Sequence, residues 1–334
     1  MAEEQARIHA PELTGGYWVN SEPQPMAQLR GRVVLIDFWD YTCVNCIRTL
    51  PYVTEWYRRY SPRGLSVIGV HAPEFAFAKE LDGVQKAIEE FGIAYPVVMD
   101  NGYAIWQAYA NRYWPAKYLV DTEGYIRFLH YGEGAYQETE RAIQGLLREA
   151  HPTLELPEPV PPVRGADMPG AVCYRVTPEL YLGYTRGRIG NPGGFVAKQS
   201  AVYRDPGKHA EGFFYLEGEW TADEEQVMKP WGPSGESRVT IKYTAKEVNL
   251  VMNPLLGRAC RAYLTQGGAP LAPEDAGENV RFEDGRAFVE VERPRMYRLV
   301  NNRDIDSHEL TLSTENPGLA LYAFTFVSCV VTSA

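Results

Sequence analysis

A β-branched apolar run over 33–36 enters Asp37-Phe38-Trp39-Asp40-Tyr41-Thr42-Cys43-Val44-Asn45-Cys46, and a helical pattern leaves it. The run has the composition of a buried strand. Beyond the cysteines, Ile47, Leu50, Val53, Trp56, Tyr57 and Tyr60 recur at three- and four-residue spacing, which is one face of a helix. The two cysteines therefore sit where a buried strand hands over to a helix. Backbone N–H groups at a helix start carry partial positive charge and favour an anion, so a thiol there loses its proton more easily than a free one. On this reading Cys43 is the nucleophile. Cys46, one turn inside on the same face, is placed to attack a mixed disulfide on Cys43 and release the product.

Strand and helix signals alternate around this turn. Runs at 65–70 and 96–99 read as strands, 76–91 and 137–149 as helices, and 117–120 with 125–131 as a hairpin turning at Asp121-Thr122-Glu123-Gly124. Residues 11–32, with Gly15-Gly16 and scattered prolines, read as a strand or hairpin closing over the sheet edge. Six prolines and no apolar periodicity over 151–170 read as a semi-rigid extended linker. After it come short alternating runs, 239–243, 247–252, 296–300 and 308–313 among them, bounded by Gly, Pro, Asn or Asp, the pattern of an all-β sandwich, jelly-roll-like in type. The organisation expected is an α/β domain over 11–150, a linker over 151–170 and a β-sandwich over 171–334.

Composition narrows the function. A net charge of −10 argues against a nucleic-acid partner. No apolar run reaches the length of a spanning helix, and the first ten residues, MAEEQARIHA, lack the apolar core of a signal peptide. The sequence as written thus reads as cytoplasmic, with an extracytoplasmic site the alternative if the chain is a trimmed one. Cys173, Cys260 and Cys329 read as singletons, so the five cysteines do not form the dense even set of a stapled secreted domain. A closed zinc site needs four ligands, and no second close pair exists to complete one, so no metal or cofactor is expected.

Together these features resemble the thioredoxin superfamily: an acid in the strand, an aromatic-rich turn, Cys-x-x-Cys, Pro51 five residues after Cys46, and the later hairpin after Trp114-Pro115. The helical insert after His71 looks like the TlpA and redoxin branch. The whole chain is similar to the soluble C-terminal part of DipZ-type proteins, in which a carbohydrate-binding-module-like domain follows the thioredoxin-like one. Its Tyr-Thr-Cys-Val-Asn-Cys-Ile-Arg-Thr-Leu-Pro stretch, His71-Ala72-Pro73-Glu74-Phe75-Ala76-Phe77, Thr177-Pro178-Glu179-Leu180-Tyr181-Leu182-Gly183 and Tyr322-Ala323-Phe324-Thr325-Phe326 carry that likeness. The resemblance implies thiol-disulfide oxidoreductase chemistry on a protein or small-molecule disulfide, with an external thiol reductant. It makes Pro115 the cis-proline beside the cysteines, leaving the preceding backbone free to pair with substrate. Trp114, Tyr41 and Glu74 are the further candidates for substrate contact.

Asp37 stands in an otherwise apolar strand. A carboxyl buried there holds a raised pKa and can exchange a proton with Cys46 during resolution. Two other classes are open. A peroxiredoxin-like peroxidase shares the fold, but its Pro-x-x-x-Thr-x-x-Cys loop is absent, since Thr42 directly precedes Cys43. A non-enzymatic module would bind glycan or a partner through the β domain and use the cysteine pair as a sensor. For that reading Trp231, flanked by Pro230 and Gly232, is the candidate stacking ring, whereas Trp220 reads as core.

Overall fold

The computed structural model describes residues 8–232 and 235–331, the last three through their backbone. Two units are separated, the first ending at Asp167 and the second beginning at Met168.

The first unit is built on six strands: β1 (Tyr17–Val19), β2 (Val33–Trp39), β3 (Leu65–His71), β4 (Val97–Met99), β5 (Ala116–Val120) and β6 (Ile126–Tyr131). Their order across the sheet is β1-β4-β3-β2-β5-β6, so the strand before the cysteines is central. It runs parallel to β3 and antiparallel to β5. Alternation along β2 divides its side chains between two cores. Val33, Leu35 and Trp39 pack with α1 (Val44–Tyr60) and α4 (Tyr136–Ala150), whereas Val34, Ile36 and Phe38 pack with α3 (Ala104–Ala108) on the other face. Asp37 is in phase with the first set. The helical insert is a 3-10 turn at Ala76–Lys79 followed by α2 (Leu81–Glu90).

The proline-rich stretch, read as a semi-rigid extended linker, is docked on the first unit over part of its length. Leu154, Leu156 and Val160 pack against the first unit's core. Its backbone is held by side chains: Val160 N–H donates to Glu140 at 2.8 Å, Gln144 donates to the Pro157 carbonyl at 2.8 Å, and Val163 N–H donates to the Tyr52 hydroxyl at 2.7 Å. Tyr52 in turn donates to Asp167 at 2.8 Å. Prolines suppress periodicity, which is why three spaced apolar residues gave no signal of docking.

The second unit is β-rich. Its spine is an antiparallel pair, Ser237–Pro254 and Arg295–Thr314, of 18 and 20 residues. On its other edge Ser237–Pro254 pairs first with Phe214–Ala222 and then with Leu319–Val327. A register irregularity between Ala245 and Glu247 separates the two halves. Val239 and Ile241 from one half and Leu250 and Met252 from the other join one core with Trp220, Tyr297 and Phe324. The short runs read from sequence at 239–243 and 247–252, and at 296–300 and 308–313, are halves of these two long strands. A bulge shifts the alternation, so one bent strand looks like two. Cys173 also departs from expectation: it is disulfide-bonded, and across a short ladder its Cα partner is Cys329. Cys43, Cys46 and Cys260 are free.

Candidate functional site

Cys43 is the N-cap residue of α1, extended at φ −80° and ψ 114°, and its Sγ accepts the Cys46 N–H at 3.3 Å. One of the orphan donors at the helix start is thereby spent on sulfur. The Cys46 side chain also hydrogen-bonds Cys43. Cys43 keeps partial exposure and Cys46 is buried, so only the first is open to a large substrate. Burial pushes both thiols above their ordinary value, Cys46 the further. For Cys43 the helix-start hydrogen bonds pull the other way, but Glu74 and Asp40 add negative charge nearby. The acidifying effect expected of the helix start is thus outweighed by desolvation and two carboxylates.

Beneath the pair lie three buried polar side chains. Asp37 and Lys117 are Cα partners across β2 and β5. Burial raises the Asp37 carboxyl to about 7, with Lys117 holding it back, and neither carboxyl oxygen has a hydrogen-bond partner. Lys117 is lowered by its own burial, and its Nζ has one carbonyl partner, Gly132, at 3.4 Å. Tyr95 is wholly buried, its hydroxyl without a hydrogen bond, and it feels the charges of Asp37 and Cys46. Gly69 is what lets this floor close. A Cβ there would come within 3.1 Å of both Trp39 Nε1 and a Tyr95 ring carbon.

The loops around the pair are also tied together. Trp114-Pro115 is a cis peptide, as the resemblance implies. Trp114 is half-buried, its indole donating to the Ala72 carbonyl at 2.9 Å and its ring 4.2 Å from that of Trp106. Glu74 is half-buried, and its N–H donates to Asp40 Oδ2 at 2.8 Å. Tyr41 lies within the turn itself. It is 3% exposed and stacks on His71 at 5.6 Å. The structure therefore brings Cys43, Cys46, Asp37 and Glu74 around one turn.

Two residues at the site were missed by sequence reasoning. Lys117 carried the signal of a lone cation in an apolar strand; Asp40 carried that of an Asp-x-Thr turn three residues before Cys43. Elsewhere, Trp220 is core and its indole donates to the Glu217 carbonyl at 3.0 Å, while Trp231 is 69% exposed. One exposed ring does not make a glycan site. Among the described residues no three His, Cys, Asp or Glu side chains gather as metal ligands, and no helix is long and apolar enough to cross a membrane.

Two family descriptions match the chain: Redoxin over residues 10–146, and a thioredoxin-like C-terminal domain over 177–326. Protein DipZ of Mycobacterium tuberculosis is 41% identical over 73% of this chain and 35% of its own length. The chain thus spans about a third of that relative. The thiol-disulfide oxidoreductase ResA of Halalkalibacterium halodurans is 30% identical over 40% of this chain and 72% of its own. The solution structure of a thioredoxin-like protein in the oxidised form is 31% identical, covering 43% of this chain and 97% of its own, with a TM-score of 0.40.

Proposed function

This chain belongs to the redoxin branch of the thioredoxin superfamily, a family of thiol-disulfide oxidoreductases, and we propose that it reduces disulfides through Cys43 and Cys46. The observation that carries the reading is the pair itself. A partly exposed Cys43 caps the helix, a buried Cys46 lies one turn inside, and the buried Asp37 carboxyl, raised to about 7, has Tyr95 as a neighbour in common with Cys46.

The Cys43 thiolate attacks one sulfur of the substrate disulfide, forming a Cys43–substrate bond and expelling the other sulfur as thiolate. Cys46 then gives up its proton and attacks Cys43 Sγ. The Cys43–Cys46 bond forms, the second substrate sulfur leaves as thiolate, and two electrons have passed to the substrate. Asp37 with its pKa about 7 is the acceptor for the Cys46 proton, and Lys117 limits how far burial raises that acid. An external dithiol returns the pair to its reduced form. Pro115 and the backbone before it take the extended substrate, Trp114 limits its width, and Glu74 borders the entry.

For the compartment, the disulfide at Cys173 supports the extracytoplasmic alternative over the cytoplasmic expectation, because structural disulfides persist in oxidising surroundings. The peroxidase alternative lacks the loop that would hold peroxide. The test is paired: insulin-type disulfide reduction dependent on Cys43, beside hydrogen peroxide turnover no faster than a free thiol gives. Rapid Cys43-dependent peroxide consumption with no disulfide reduction contradicts this reading.

A further inference from the structure

Asp40 has no part in the exchange as written, yet it is a wholly buried acid three residues before the nucleophile. Its side chain faces donors. Oδ1 accepts the Thr42 N–H and the Thr42 hydroxyl, both at 2.5 Å, and Oδ2 accepts the Glu74 N–H at 2.8 Å. Its own carbonyl accepts the Cys43 N–H at 3.3 Å. Two of the three donors to the carboxylate are backbone N–H groups, which cannot accept a proton in return, so the pocket suits the ionised form. His71 does not neutralise it: its Nε2 is 3.9 Å away, and burial depresses the imidazole to about 3, leaving it uncharged.

We propose that Asp40 is a positioning residue that restrains the nucleophile: it clamps the cysteine turn to the loop after β3, and its fixed negative charge opposes formation of the Cys43 thiolate. The inference rests on the disulfide-exchange reading above and adds a control on it. The groups facing Cys43 are Cys46 from α1, Asp40 from the turn and Glu74 from the loop; those behind Cys46 are Asp37, Lys117 and Tyr95. Two of the groups facing Cys43 are carboxylates, and Asp40 and Glu74 each act against its ionisation. Desolvation raises the Asp40 carboxyl too, and its three donors take back part of that rise. The clamp holds the turn in one geometry, while the charge adds to the burial that already pushes the Cys43 thiol up. The chain so equipped has a less reactive resting thiol than its helix-start position implies.

The test is the pH profile of Cys43 alkylation by iodoacetamide in the reduced full chain, with the modified cysteine identified by mass spectrometry. Asp40→Asn is expected to move the profile to lower pH. For each unit moved, the thiolate fraction at pH 7 rises about tenfold while intrinsic nucleophilicity falls about threefold, so alkylation at pH 7 accelerates about threefold. Asp40→Glu keeps the charge and is expected to keep the wild-type profile. If Asp40→Asn does not fold, Asp40→Ser, whose hydroxyl still accepts an N–H, takes its place. Identical profiles in wild type and the neutral variant overturn the inference, as does an equal shift in Asp40→Glu, which would mark the role as packing alone. Equilibration with oxidised glutathione separates the two levels. A wild-type chain that never forms the Cys43–Cys46 disulfide overturns the exchange reading itself, whereas normal exchange with an unmoved profile overturns only the role of Asp40.

Discussion

Two buried polar clusters, one in each unit, are treated in opposite ways. In the second, Tyr243, Gln266 and Asn302 close a ring: Tyr243 donates to Gln266 at 2.7 Å, Gln266 to Asn302 at 2.9 Å, and Asn302 back to Tyr243 at 3.0 Å. Each member satisfies the next, so the ring fixes how Ser237–Pro254 and Arg295–Thr314 pack. In the first unit, both oxygens of Asp37, both ring nitrogens of His71, the Tyr95 hydroxyl and Trp39 Nε1 are buried without hydrogen bonds. Such groups cost stability, and a protein keeps them where another demand overrides folding. The satisfied network specifies structure; the unsatisfied cluster lies beneath the thiols and leaves an acid poised to titrate.

The sharpest way to break this contrast is Asp37→Asn. The folded pKa of Asp37, about 7, lies above its unfolded value of about 4. Between those values the folded state holds a proton that the unfolded state has lost, so stability falls as pH rises and levels off above 7. Asparagine mimics the protonated acid without that penalty. The variant is therefore expected to be more stable than wild type by up to about 4 kcal/mol at pH 8 and nearly equal at pH 4, with slower disulfide reduction. Chemical denaturation at the two pH values checks this, and a destabilised variant at pH 8 would show the carboxylate to be structural.

Removing one link of the satisfied ring should act in the opposite sense. Tyr243→Phe strands a buried donor on Asn302 and an acceptor on half-buried Gln266, so the second unit is expected to lose about 1–3 kcal/mol. That loss should be the same at all pH values from 5 to 8, since none of the three titrates there, and it should leave thiol reactivity unchanged. A smaller, finer effect follows from Lys117→Met. Lys117 holds the Asp37 carboxyl down, so its loss moves the acid limb of the reduction profile to higher pH. An unmoved limb would sever Lys117 from the proton transfer.

The sequence made the cysteine turn legible because every part of it is local. The strand, the helix face and the cysteine spacing lie within one continuous stretch, and Trp114-Pro115 is recognisable as a dipeptide. What sits around the turn was not legible, because it depends on register and closure. Lys117 meets Asp37 only once β5 is laid antiparallel on β2. Asp40 acquires its third donor from Glu74, 34 residues away. Cys173 read as a singleton because the cysteine opposite it lies at the far end of the domain. The strap over 154–163 was hidden by prolines, and the two long strands were hidden by bulges that interrupt their alternation.

Trapping the mixed disulfide tests the central claim most directly. The full chain carrying Cys46→Ser is reduced, mixed with a protein disulfide and analysed by mass spectrometry. A covalent adduct on Cys43 is the predicted result, with turnover stalled because the resolving thiol is gone. The converse Cys43→Ser chain should form no adduct. An adduct carried by Cys46 or Cys260 in the Cys43→Ser chain, formed as fast as that on Cys43, would contradict the assignment of the nucleophile and with it the proposed mechanism.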